Sequence, residues 1–114
     1  MGLDFVQSDA HWSYSGFMSF RERLANAIGI KLMSMQGFGT PFTPWDTIDD
    51  DIVPLLFHSD CDGSLTPDEC HTVAIRLAEI IKDWDDDDYD KFQAQLLIEG
   101  MNKCYENDEH LEFC

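Results

Sequence analysis

Apolar residues recur at three- and four-residue intervals through most of the chain, a spacing that predicts a mainly α protein of about four helices. The first helix begins near Ser15 or Gly16, carries Phe17, Phe20, Leu24, Ala27 and Ile28 on one side, and stops at Gly29. A short second helix runs from Asp50 or Asp51 to Phe57, with Pro54 tolerated in its first turn. The third has the clearest start. Thr66-Pro67-Asp68-Glu69 sets Thr at the N-cap, Pro at the first helical position and Glu at the third, a capping box. Behind it Cys70, Val73, Ala74, Leu77, Ile80, Ile81 and Trp84 form one apolar face. The fourth helix, from about Asp88 to Tyr105, offers Phe92, Leu96, Leu97, Met101 and Cys104 to the core. Gly100 within it costs about 1 kcal/mol relative to Ala, which points to close packing of another helix there.

The remaining segments break this period. Leu3-Asp4-Phe5-Val6 and His11-Trp12-Ser13-Tyr14 fit short extended pieces that can pair with Leu111-Glu112-Phe113 at the other terminus. Ile30 to Met33 fits either a kinked continuation of the first helix or an extended piece. Two Gly and two Pro between Gln36 and Trp45 exclude regular structure, and Phe38, Phe42 and Trp45 are expected to fold back as a lid on the core, with a partner-binding loop as the alternative. No internal repeat is visible.

At 114 residues the chain suits one domain, 1–114, with a helix–loop–helix at about 50–84. A hydrophobic content of 44% with 12% aromatics sets it apart from disordered chains despite a net charge of −16. Residues 1–45 are balanced, at 3 acids and 3 bases, whereas residues 46–114 hold 20 acids against 4 bases. A field of that sign repels nucleic-acid phosphates and anionic lipid, and attracts cations and basic protein faces. Direct nucleic-acid and membrane binding are therefore not expected; acidity that merely keeps the chain dispersed is the plainer alternative. Apolar runs are far shorter than a bilayer requires, and the first residues lack a basic region and an apolar stretch, so a cytoplasmic setting is expected. Cys61, Cys70, Cys104 and Cys114 lack C-x-x-C spacing and are read as thiols, with Cys70 and Cys104 as small core residues. Zinc bound through His58, Cys61, Cys70 and His71 is disfavoured by the same irregular spacing.

The candidate chemistry lies in His58-Ser59-Asp60-Cys61-Asp62-Gly63-Ser64-Leu65-Thr66-Pro67-Asp68-Glu69, which resembles an EF-hand calcium loop. With Gly63 at the sixth position, Asp60 is third, Asp62 fifth, Ser64 seventh, Leu65 eighth, Thr66 ninth and Glu69 twelfth. The resemblance implies carboxylates converging on one ion, a backbone carbonyl from Ser64, a bend at Gly63, Leu65 as core anchor and two oxygens from Glu69. Its metal residues would be Asp60, Asp62, Ser64, Thr66 and Glu69, for calcium with magnesium as substitute. His58 departs from the pattern at the first position, where an imidazole suits a hard cation poorly. With three carboxylates and no second loop, the affinity expected is weak, about 10⁻⁴ to 10⁻³ M. The metal-free alternative has Asp60 and Asp62 bonding backbone N–H groups and Glu69 only completing the capping box.

Asp60-x-Asp62-Gly63-Ser64-Leu65-Thr66 also looks like the first motif of haloacid-dehalogenase-type phosphatases, but the chain is too short for their α/β core and Pro54 is misplaced for their central strand. No nucleophile stands beside an evident base, so an enzyme is not indicated. The second feature is the run Asp83, Asp85, Asp86, Asp87, Asp88 and Asp90, expected as a solvated turn whose last members suit the positive end of the fourth helix. Its functional reading is a patch imitating nucleic-acid phosphates, with Trp84, Asp85, Asp86, Asp87, Asp88 and Tyr89 meeting a basic groove. The HSDCDG, WSYSGF and LEF stretches also look like features of small uncharacterised bacterial and phage proteins. Two functions follow: a non-enzymatic binding or regulatory protein with one EF-hand-like cation site, or an acidic mimic that inhibits a host nucleic-acid-binding protein, for example a phage anti-defence protein.

Overall fold

Leu3, Phe5, Ala10 and Trp12 are buried between polar neighbours, and this alternation folds as an antiparallel hairpin of β1 (Leu3–Phe5) and β2 (Ser8–Trp12). The computed structural model describes residues 2–39 and 43–114. Leu3 faces Trp12 and Asp4 faces His11, but Phe5 faces Ser8, so the register slips by a bulge that bends the hairpin over the core. Ser13 then caps α1 (Tyr14–Ala27), its hydroxyl accepting from the Gly16 N–H. Phe17, Phe20, Leu24 and Ala25 lie buried along that helix, and Gly29 leaves it at φ +84°.

Of the two readings for Ile30 to Met33, neither describes the chain: Leu32–Ser34 is a 3₁₀ turn. A second such turn, Trp45–Thr47, places the Trp45 ring in the core, where its N–H donates to the Gln36 carbonyl and Phe38 meets it edge-on at 6.1 Å. Phe38 and Trp45 thus fold back as the lid expected; Phe42 lies outside the described residues. The second helix is shorter than its spacing predicts. α2 is a single turn, Val53–Leu56, because Asp50 already turns the chain by accepting from the Ile52 N–H.

After β3 (Ser64–Leu65), α3 (Pro67–Ile81) starts with both bonds of the predicted capping box, Glu69 N–H to Thr66 Oγ1 at 3.2 Å and Thr66 N–H to Glu69 Oε1 at 2.9 Å. It buries Cys70, Val73, Ala74, Leu77 and Ile81 against α4 (Tyr89–Glu106). α4 is rotated from the predicted face. Phe92 is 55% exposed, while Gln93, Ala94, Leu97, Gly100, Met101 and Cys104 are buried. The rotation follows from α4 serving two neighbours, α3 on one side and β2 on the other. Gly100 marks the second contact: a Cβ there would lie 2.5 Å from Ser8 Cβ, so the close neighbour is the hairpin and not a helix. Gln93 completes this side by accepting from the His11 N–H, which satisfies the otherwise unpaired edge of β2.

The termini do pair. β4 (Leu111–Glu112) runs antiparallel to β3, and Phe113 bridges Phe5 in β1. The N–H groups of Asp4 and Cys114 donate to each other's carbonyls, and Phe113 N–H donates to Gly63 O. The last four residues therefore tie the N-terminal hairpin to the loop after α2. The buried side chains form one continuous cluster centred on Trp12, Phe17, Phe20, Leu56, Leu77 and Leu97. Among the described residues, no helix is long and apolar enough to cross a membrane.

Candidate functional site

The loop between α2 and α3 takes the bend its glycine permits: Gly63 has φ +87°, and Leu65 two residues on is buried. Its polar groups, however, are engaged with one another and with the backbone. Glu69 spends Oε1 on the Thr66 N–H. The Ser64 carbonyl, the seventh-position oxygen, lies 3.0 Å from His58 Nε2, and His58 Nδ1 lies 2.8 Å from the Ser59 carbonyl. A carbonyl only accepts, so each of these bonds needs a proton on that nitrogen and the neutral ring donates one at a time. The ring is held in this pose by stacking on Phe113, centroids 3.8 Å apart. Asp62, Ser64 and Thr66 are exposed and Asp60 is half-buried. Among the described residues, no three His, Cys, Asp or Glu side chains gather in a way that holds a metal ion.

Beneath the loop lies a cation that spacing alone does not reveal. Arg21, 3% exposed, donates through Nη1 to the Leu56 and His58 carbonyls at 3.3 and 2.8 Å, closing the end of α2. Its guanidinium lies over the Phe17 and Phe38 rings, 4.7 and 5.2 Å from their centroids. Burial pulls its pKa below the ordinary value, against the field of Asp60, and its Nε is buried without a partner among the described residues. The sequence held a faint signal. Arg21 falls four residues after Phe17 and three before Leu24, inside the apolar stripe of α1.

The acidic run is built more firmly. Asp88 is the N-cap of α4, its Oδ1 accepting from the Asp90 and Lys91 N–H groups. Arg23 reaches across from α1 and forks Asp88 and Asp90 at 2.9 and 2.8 Å, with its guanidinium 3.7 Å above the Trp84 ring. Arg23 holds the Asp88 carboxyl below the usual carboxylate range, and Asp88 in turn raises Arg23. Trp84 is thus half-buried between Arg23 and an edge contact to Phe20, 6.2 Å away. Lys91, 7% exposed, fixes the turn from inside, donating to the Lys82 and Trp84 carbonyls and to Asp86.

Outside this frame, Asp83, Asp85 and Asp87 are exposed and form no ion pair among the described residues. Tyr89 is 56% exposed, its hydroxyl donating to the His11 carbonyl at 2.9 Å. The Asp83–Tyr89 stretch is therefore a rigid base with carboxylates and one ring outward. Sequence reasoning missed its two clamps, Arg23 and Lys91, because each belongs to a helix face on which polar residues look solvated.

The cysteines divide. Cys61 and Cys114 are exposed, whereas Cys70 and Cys104 are core residues, and burial pushes the Cys70 thiol up to about 12. His71 stacks on Tyr105 at 4.1 Å. Comparison with protein-family models, with curated proteins and with solved structures finds no match to this chain.

Proposed function

We propose that the protein is a non-enzymatic binding protein whose acidic turn docks on a basic surface of another protein. The observation that carries the reading is the pairing of free carboxylates on Asp83, Asp85 and Asp87 with an immobile support beneath them. A charge row that is already ordered loses little entropy on binding, and fixed like charges gain most when an opposite surface covers them. A basic nucleic-acid-binding groove has the complementary chemistry, so an inhibitor that imitates phosphates is the form this role takes. The test is capture from a candidate host lysate on immobilised protein, eluted by stepped salt. Retained partners are expected to be basic and to leave as screening shortens to about 10 Å at 0.1 M and below beyond it. Partners that are not basic, or that ignore salt, contradict the reading.

A second reading keeps Asp60, Asp62, Ser64, Thr66 and Glu69 as ligands of one calcium ion, with magnesium as substitute. It is supported by the bend at Gly63 and by buried Leu65, both in the register the resemblance implies. It requires Glu69 to release the Thr66 N–H and His58 to leave the Ser64 carbonyl, so binding would cost two existing bonds. Calorimetric titration decides it. Heat with a Kd of about 10⁻⁴ to 10⁻³ M, lost in Asp62→Ala and Glu69→Gln, is expected if the loop binds the ion. No heat and an unchanged melting temperature at millimolar calcium remove it.

A further inference from the structure

Resting on the acidic docking reading, we propose that the partner engages this protein through arginine, seated on the exposed rings of Tyr89 and Phe92 and paired with the free carboxylates of the turn. Phe92 is the residue the hydrophobic pattern placed in the core, yet it stands outward from the first turn of α4, three residues beyond Tyr89 and therefore on the same side. Neither ring is free to fold away. Tyr89 is tethered through its hydroxyl to His11, and Phe92 N–H is committed to the Asp88 carbonyl in the first helical turn. The turn leading into them is closed by Asp88 N–H donating to the Asp85 carbonyl, which sets the exposed aspartates at the same end of the helix as the two rings. Large exposed rings rimmed by uncompensated carboxylates suit an occupant that is both flat and cationic.

The same turn holds an internal example of each basic side chain. Arg23 lies flat on the Trp84 ring and simultaneously forks Asp88 and Asp90, satisfying ring and carboxylates with one group. Lys91, by contrast, works as a point donor to two carbonyls and Asp86, with no ring beneath it. Guanidinium matches a ring-plus-carboxylate site in a way ammonium does not, because it is planar, weakly hydrated and presents parallel N–H groups. Asp85 and Asp87 beside Tyr89 and Phe92 repeat, facing outward, the chemistry that Arg23 already satisfies facing inward. The occupant is accordingly an arginine-bearing protein segment, and lysine-rich segments of equal charge bind less well.

The experiment titrates the full chain against labelled nonapeptides of arginine and of lysine, followed by fluorescence anisotropy at low salt. The arginine peptide is expected to bind about five-fold tighter, the gain of stacking on exposed rings. Phe92→Ala and Phe92→Leu bring the arginine peptide to the lysine level while leaving the lysine peptide within two-fold; Leu keeps the apolar bulk but not the ring. Asp85→Asn with Asp87→Asn weakens both peptides. Equal affinity for the two peptides, or an arginine preference that survives Phe92→Leu, overturns the inference and leaves the acidic reading standing. Binding of both peptides untouched by the aspartate changes overturns the acidic reading itself. The melting temperature of each variant verifies the fold.

Discussion

Gly100 and Ser8 show how one atom decides a contact. In an open helix, Ala in place of Gly gains about 1 kcal/mol. Here the added Cβ would meet Ser8 Cβ at 2.5 Å and the Gln7 carbonyl at 2.8 Å, so the hairpin has to retreat from α4 and strain the Ser8 bond to the Leu96 carbonyl. Gly100→Ala is therefore expected to lower stability by about 1–3 kcal/mol in denaturant unfolding; a gain would show that the hairpin is not seated there. Several residues of this kind were not legible in the sequence. Phe92 outward, with Lys91 and Gln93 inward, inverts hydrophobicity because the buried polar groups have backbone partners to meet: the β2 edge for Gln93, the turn carbonyls for Lys91. Arg21 likewise closes the end of α2, a role no spacing rule assigns.

At the scale of elements, local chemistry was readable where it is self-contained. The capping box and apolar face of α3 needed only neighbours within the helix, and both formed as expected. α4 was readable in extent but not in rotation, because its facing depends on β2, more than seventy residues earlier. The EF-hand resemblance predicted the bend at Gly63 and the anchor Leu65, while the groups meant to converge on an ion are spent on the capping box and on His58. The Asp88 cap gives a test in which charge separates from capping. Asn caps as well as Asp, so Asp88→Asn removes mainly the pairing with Arg23, whereas Asp88→Ala removes the cap too and is expected to cost about 1 kcal/mol more. Because Arg23 holds the folded Asp88 carboxyl below its ordinary value, this stabilisation is complete above the unfolded carboxylate range, about 4. It is lost as pH falls through the lowered folded value. Thermal melts of wild type and Asp88→Asn should accordingly diverge at neutral pH and converge in acid; a gap that persists in acid would assign the effect to something other than the ion pair.

Across the whole molecule, the C-terminal strand joins the hairpin to the loop after α2, and one apolar cluster runs beneath both. The charge of −16 bears on this frame as self-repulsion, since most acids have no cation beside them. Moderate salt is thus expected to raise the melting temperature, and an unchanged or falling value would mean the ion pairs of Arg23, Arg76 and Lys91 outweigh the repulsion. Charge total was legible from composition; which carboxylates stay free was not, because that depends on where Arg23 and Lys91 reach across the fold.

The central claim is that position, not charge total, makes the Asp83–Asp87 turn a docking surface. Two charge-matched variants test it most directly: Asp83→Asn, Asp85→Asn and Asp87→Asn in one, Asp46→Asn, Asp49→Asn and Asp51→Asn in the other, all at exposed sites. Affinity for the basic partner captured from lysate is expected to fall at least ten-fold in the first and to change less than two-fold in the second. Equal losses in the two variants would contradict the account and reduce the acidic turn to one part of a uniformly charged surface.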